Sequence, residues 1–466
     1  MPARGQVNVA GDTSRVCSLI ALLSRPTHPS VPRMACASWE DQRAGRGMRR
    51  REGRGWGRCL GVVALLAAAG CANVPPARVL PAVPIHTPAW GAALAAVTAS
   101  PVVPGNAVDV LVDGPEIFAA MLAAIASARR TITYEQFLYK PAAISRVLAD
   151  ALAERCRAGV AVHVLIDGWG VRWLPDEYRA LLEGAGCRFA IFRPLRLSTL
   201  RRWNHRNHRR ILVVDGRVGF TGGSGVDTRW LGIADRQDRW RETDVRLEGP
   251  VVRWLQGAFA EHWLEATGVL LAGEDYYPFL LPAGTVDAQV VGGAPAAGNY
   301  SLHTLYLFAI ASARRSIAIT NQYVVLDDRL TAALVAAARR GVLVEILVPA
   351  RPSNRLVFAA GRASLGPLLE AGVVVHAYEA RPLHAKTMVV DSVWATIGST
   401  NLDPRSFALN DELNVVVHDA AVAGRLARLF REDVQGSRRM TYEDWRERGF
   451  WLKTLGVLTI PIRGQL

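Results

Sequence analysis

AIASARR occupies residues 124–130 and returns unchanged at 309–315. Seven identical residues at two places in one chain are improbable by chance, so the sequence after each copy decides the fold. The first copy runs into TITYEQFLY (131–139), a helical pattern over 145–158, VAVHVLID (160–167), a second helical pattern near 176–184 and CRFAIF (187–192). The second runs into SIAITNQYVV (316–325), a helical pattern over 328–340, VLVEILVP (342–349), another near 363–371 and VVVHAYE (373–379). Short runs rich in Val and Ile, alternating with amphipathic stretches, predict buried strands flanked by helices. The order is the same twice. The chain is therefore expected to hold two copies of one α/β domain, over 106–271 and 287–440, joined by 272–286, where AGEDYYPFLLPAG breaks the pattern.

Each copy then reaches a histidine at the same point. The second reads RPLHAKTMVVDSVWATIGSTN (381–401), with His384, Lys386 and Asp391 spaced H-x-K-x4-D and Gly398-Ser399-Thr400-Asn401 after six further residues. The first reads RNHRRILVVDGRVGFTGGSG (206–225), with His208, Arg210 and Asp215 at the same spacing and Gly222-Gly223-Ser224-Gly225 after it. Between histidine and aspartate the pattern is a strand, so residues two apart share a face and imidazole and cation reach one group together. Lys140, Lys386 and Lys453 are the only lysines in a chain otherwise rich in arginine, which singles out the ammonium at 386.

With GSTNLDPRSFALNDELN (398–414) and RETDVRLEGPVV (241–252), the doubled signature resembles the phospholipase D superfamily, and within it the bacterial cardiolipin synthases. The resemblance covers nearly all of 106–440. It implies two phospholipase D-like α/β domains that build one active site at their interface, without metal or cofactor. It implies a phosphatidyltransferase in which one histidine attacks phosphorus and the other moves the proton of the leaving and incoming alcohols. His208 is assigned as nucleophile and His384 as acid and base, with Glu242 and Glu412 holding the two imidazoles. Arg210, Lys386, Asn401, Ser399 and Ser224 are assigned to the phosphoryl oxygens, and Asp215 and Asp391 to the structure of the motif loops. Two departures stand out. Arg210 takes the place of a lysine, with a planar fork for a point charge, and Gly225 stands where the family carries an asparagine amide.

The front of the chain carries a different message. From Met48, MRRREGRGWGRCLGVVALLAAAGCANV sets five arginines before an eleven-residue apolar run, then small residues before Cys71. This is the layout of a secretory signal, and the run is too short for a bilayer span of about 20 residues. The site ending in cysteine resembles a lipoprotein lipobox, which assigns lipidation to Cys71. A signal stands at the start of its protein, so translation is expected from Met48, with residues 1–47 untranslated or disordered. Residues 72–105, with seven prolines, are expected to be a tether. The protein is then expected in the bacterial envelope, lipid-anchored and facing the periplasm, or plainly membrane-associated if the signal is not processed. Cys156 and Cys187 could pair in an oxidising compartment, but their apolar context favours reading them as buried, unpaired thiols.

Charge narrows the partners. Of the formal +14, residues 1–58 hold eleven arginines and four acids, +7, which leaves 14 − 7 = +7 for the rest. So mild a surplus fits an anionic phospholipid and a membrane surface and gives no reason to expect nucleic acid. No obligate protein partner is evident. The run RPLRLSTLRRWNHRNHRR (193–210) reads as a steering patch or a solvated face, and His205 within it as a solvated surface residue. The tail over 441–466 contains DWRERGFWLKTLGVLTIPI (444–462), an amphipathic stretch suited either to a lipid interface or to packing on the second domain. Glu135 and Asp167, at predicted strand ends, are left outside the catalytic set.

The reading is thus a cardiolipin synthase-type enzyme joining two phosphatidylglycerols through a phosphohistidine and releasing glycerol. The rivals are hydrolysis to phosphatidic acid, a nuclease of the same fold, and a non-catalytic lipid-binding lipoprotein.

Overall fold

The computed structural model describes residues 82–196, 202–231 and 239–466. The expected signal over 48–71, with Cys71, and residues 1–47 lie outside them. Fifteen strands among the described residues form one sheet. The first seven are β1 (Val103–Val112), β2 (Thr131–Gln136), β3 (Ala161–Asp167), β4 (Arg188–Phe192), β5 (Ile211–Val214), β6 (Val218–Gly222) and β7 (Thr243–Glu248). The others are β8 (Val286–Gly293), β9 (Ser316–Asn321), β10 (Leu343–Pro349), β11 (Val374–Tyr378), β12 (Lys386–Val390), β13 (Trp394–Gly398), β14 (Glu412–His418) and β15 (Ser437–Met440). β1 and β8 pair antiparallel at the centre. Outward from that seam one side runs β1, β7, β6, β5, β2, β3, β4 and the other β8, β14, β13, β12, β9, β10, β11, with β15 added at the edge.

Burial explains the patterns. β2 lies between β3 and β5 with every residue buried, the polar Thr131, Thr133, Glu135 and Gln136 as well as Ile132 and Tyr134. β5 alternates: Leu212 and Val214 face the core of the first half, Ile211 and Val213 a core that both halves share. In β12, Met388 and Val390 face the second half's core and Val389 the shared one. The helix Ala143–Arg157 buries Ile144, Leu148 and Leu152, one stripe at four-residue spacing.

The repeated heptapeptide has a structural role. Asp215 and Asp391, both in the left-handed region (φ 51° and 54°), end β5 and β12. Asp215 accepts from the amides of Arg129, Arg130 and Thr131, and Asp391 from those of Arg314, Arg315 and Ser316. Each motif aspartate thus ties the end of one AIASARR copy to the strand that carries a histidine motif.

Several expectations change. Residues 72–105 are not a tether throughout: Thr87 caps a helix, Pro88–Thr98, whose Trp90 is fully buried. That indole stacks on Phe308 at 5.0 Å and donates to Ser312 at 2.8 Å, because a ring of this size gains from burial against the second half's core. Cys156 and Cys187 are joined by a disulfide, their Cα atoms 5.5 Å apart; the helix end and the strand start that carry them meet only in the fold. His205 is half-buried, its Nδ1 bonded to the Leu409 carbonyl at 3.0 Å. The described part of the basic run is divided: Arg196, Arg202 and Trp203 are exposed, while Arg193, Arg206, Arg209 and Arg210 are buried. Arg193 pairs with Glu265 (2.7 Å) and Asp411 (3.0 Å), and Arg209 with Glu261 (2.9 Å), since a buried guanidinium needs carboxylate partners.

Candidate active site

His208 stands just before β5 in its half, three residues ahead of Ile211, and His384 stands two residues before β12 in the other. Each is fixed by the opposite half. The His208 amide donates to the Asp411 carbonyl and the His384 amide to the Arg241 carbonyl, both at 2.8 Å. Next in the chain after those carbonyls stand Glu412 and Glu242. Glu412 Oε1 stands 2.8 Å from His208 Nδ1, and Glu242 Oε2 is bonded to His384 Nδ1. The carboxylates are therefore crossed, each half supplying the one that holds the other's imidazole. This crossing was not legible in the sequence, where both glutamates simply lie near strands.

A carboxylate on Nδ1 fixes the tautomer and turns the Nε2 lone pair outward. His208 Nε2 lies 3.0 Å from Arg210 Nη2. Lys386 Nζ is 2.9 Å from His384 Nδ1 and 3.3 Å from its Nε2. Burial, then Arg210, lowers His208 to about 4 despite Glu412. Burial, then Lys386, Arg210 and His208, holds His384 well below its ordinary value. Both imidazoles are neutral near pH 7. Burial pulls the Lys386 ammonium down to about 7. On Glu412 burial is outweighed by His208 and Ser399, so the carboxylate stays below its usual range.

Asn401 is buried, and its Oδ1 meets no hydrogen-bond donor among the described residues. The two serines are placed differently from expectation: Ser399 Oγ donates to Glu412 Oε2 at 2.5 Å, and Ser224 Oγ to Asp244. A buried carboxylate claims the nearest hydroxyl, so these donors orient the protein's own acids. Glu135 and Asp167 also act on the motif: Asn207, next to His208, donates its side-chain amide to Glu135 (2.7 Å) and its backbone amide to Asp167 (3.0 Å).

Sequence reasoning missed the aromatic walls. Trp240 stacks on His384 at 4.8 Å, Trp230 stands edge-on to it at 5.0 Å, and Phe137 lies edge-on to His208 at 5.2 Å. The one signal available was Trp240, two residues before Glu242.

Two imidazoles oriented by carboxylates, each with a cation beside it, are equipped for covalent transfer of a phosphoryl group. Known proteins agree. Residues 306–434 match the family model described as cardiolipin synthase, PLD-like domain. The chain is 35% identical over 351 residues to the major cardiolipin synthase ClsA of Bacillus subtilis, covering 75% of this chain and 73% of that one. It is 37% identical over 355 residues to cardiolipin synthase A of Pseudomonas entomophila, covering 74% and 72%. The crystal structure of phosphatidylserine synthase from Haemophilus influenzae shares the fold, with TM-score 0.60 over 81% of this chain and 98% of that one, at 14% identity. The chain belongs to the cardiolipin synthase family of phospholipase D-type phosphatidyltransferases.

Proposed function

We propose that the protein joins two phosphatidylglycerol molecules into cardiolipin and releases glycerol, through a phosphohistidine. The observation that carries the reading is the crossed pair of imidazole–carboxylate contacts, His208 on Glu412 and His384 on Glu242. His208 Nε2 forms a bond to phosphorus as the bond from phosphorus to the glycerol oxygen breaks, and His384 gives that oxygen its proton. The glycerol hydroxyl of the second phosphatidylglycerol then returns a proton to His384, its oxygen bonds phosphorus, and the N–P bond breaks. His208 is already neutral, and its Nε2 lone pair, which accepts from Arg210 Nη2 at 3.0 Å, becomes free to attack when that guanidinium turns to the phosphoryl oxygens. His384 has to gain a proton before the first step, and the bound phosphodiester anion supplies the charge that favours it. Lys386, Arg210 and Asn401 face the non-bridging oxygens, while Asp215 and Asp391 hold the loops.

The site works at a membrane surface in this reading, with a lipid on Cys71 holding the chain to the periplasmic face. Three observations support it. Among the described residues no helix is long and apolar enough to cross a membrane. The disulfide suits an oxidising compartment. The tail exposes Phe450, Trp451, Val457, Leu458 and Ile460 beside Arg446, Arg448 and Lys453, a composition suited to an anionic lipid interface. The tail's end also touches the histidine loop, with Asn204 Nδ2 donating to Gln465.

The test is to incubate the protein with phosphatidylglycerol vesicles and identify the products by mass spectrometry. Cardiolipin and glycerol in equal amounts, with a phosphatidyl group found on His208 when the parent protein is acid-quenched during turnover and neither product nor intermediate formed by His384→Asn, is the expected outcome. Phosphatidic acid without cardiolipin would mean hydrolysis, and turnover untouched by His384→Asn would remove the two-histidine scheme.

A further inference from the structure

The two halves hold their carboxylates with different residue pairs. In motif register, Gly222-Gly223-Ser224-Gly225-Val226-Asp227-Thr228-Arg229-Trp230 runs level with Gly398-Ser399-Thr400-Asn401-Leu402-Asp403-Pro404-Arg405-Ser406. The register is structural as well as textual: Val226 bridges Tyr139 and Leu402 bridges Val324, both parallel and both just beyond the corresponding strands β2 and β9. Trp230 therefore stands in the place of Ser406, and Gly225 in that of Asn401.

The exchanged residues do comparable work. Ser406 Oγ donates to Glu412 Oε1 at 2.8 Å, and Trp230 Nε1 donates to Glu242 Oε2 at 3.0 Å. Glu412 has further donors in Ser399 and Asn410. The position of Ser399 is Gly223 in the first half, where a Cβ would come within 2.6 Å of Glu242 Oε1. Among the described residues Glu242 keeps its own neighbour's amide, Thr243 N–H at 3.0 Å, and the indole of Trp230 beside His384. A Cβ on Gly225 would meet the Trp230 ring at 3.1 Å. An asparagine like that of the second half would therefore press on this indole, which must yield by a few tenths of an ångström to admit even its Cβ.

We propose that Trp230 is the positioning residue of the Glu242–His384 pair, and that Gly225 is the space that admits it, a small-and-large exchange for the Asn401 and Ser406 of the other half. The site is asymmetric in consequence. The second half offers a side-chain amide to phosphate, while the first offers an aromatic wall that keeps water from His384 and a donor that fixes its carboxylate. The charged groups facing this pair are Lys386, Arg210, Arg229, His208 and Asp244.

The inference rests on the proposed role of His384, and the experiment separates the two. On phosphatidylglycerol vesicles, kcat and KM are measured against pH for the full chain carrying Trp230→Phe, Gly225→Asn, Gly225→Asn with Trp230→Ser, and His384→Asn, with thermal unfolding of each. Trp230→Phe keeps an aromatic ring and deletes the N–H. It should lower kcat about tenfold at unchanged KM and move the acid limb of the kcat profile, as loss of a hydrogen bond to a carboxylate does. Gly225→Asn should lose more, and the double variant, which installs the second half's pair, should recover much of that loss. A Trp230→Phe protein with the parent's kcat and pH profile overturns the inference, as does a folded double variant no better than Gly225→Asn alone. If Gly225→Asn fails to fold, Trp230→Phe decides by itself. Should His384→Asn keep full turnover, the reading of the site falls first; should it abolish turnover while Trp230→Phe changes nothing, only the present inference falls.

Discussion

Lys386 shows what one side chain decides. Buried completely beside His384, it gives up its proton at about pH 7. On phosphatidylglycerol, kcat/KM of the free enzyme should therefore fall as pH rises through about 7, because the cation that meets the phosphoryl charge is lost. Lys386→Arg keeps its charge at every accessible pH. It should abolish that alkaline limb at a cost of roughly tenfold or more in kcat, the planar fork being a poor copy of a point charge. A pH–rate profile of the two proteins checks both statements. In stability the sign is opposite: the unfolded lysine holds its proton to about 10.5, so between about 7 and 10.5 unfolding takes up a proton and the folded chain gains as pH rises. The identity and spacing of Lys386 were legible in the sequence; its burial was not, because burial is a property of what packs around it.

Elements carry the second set of consequences. The helix Pro88–Thr98 docks through Trp90, stacked on Phe308, and through Leu94 in the same core. Trp90→Ala should cost about 3–5 kcal/mol of stability in chemical denaturation, as other large-to-small changes in packed cores do. The disulfide joins cysteines 31 positions apart in sequence. Replacing Cys156 and Cys187 by alanine should remove about 3 kcal/mol, read as a lower denaturation midpoint with a somewhat steeper slope, because the unfolded chain loses its cross-link and exposes more surface. A proline-rich composition predicted a tether here, and an apolar context predicted free thiols. Both readings used local pattern alone, and a tertiary partner decided against each: a ring-sized place against Phe308 in one case, a helix end brought to a strand start in the other.

At the scale of the molecule, the halves are interdependent. β1 pairs with β8, one hydrophobic core draws side chains from both sides, and each histidine takes its carboxylate from the opposite half. Two chains produced separately, cut after Gly284, should each be inactive on phosphatidylglycerol. Produced together they should co-elute and recover turnover, because the crossed contacts and the shared core form only between them. Activity in either piece alone would contradict a composite site.

What the sequence determined by itself was local and periodic: the recurrence of AIASARR, the alternation of buried strands and amphipathic helices, and two histidine motifs with matching spacing. Those features are written in chain order, and chain order is what a sequence records. Only the tertiary structure decided that Glu412 serves His208 and Glu242 serves His384, that Ser224 and Ser399 turn to carboxylates, and that Trp230 fills the room left at Gly225. These contacts join residues of separate strands and opposite halves, and their partners are chosen by packing and by the demand that every buried charge be satisfied.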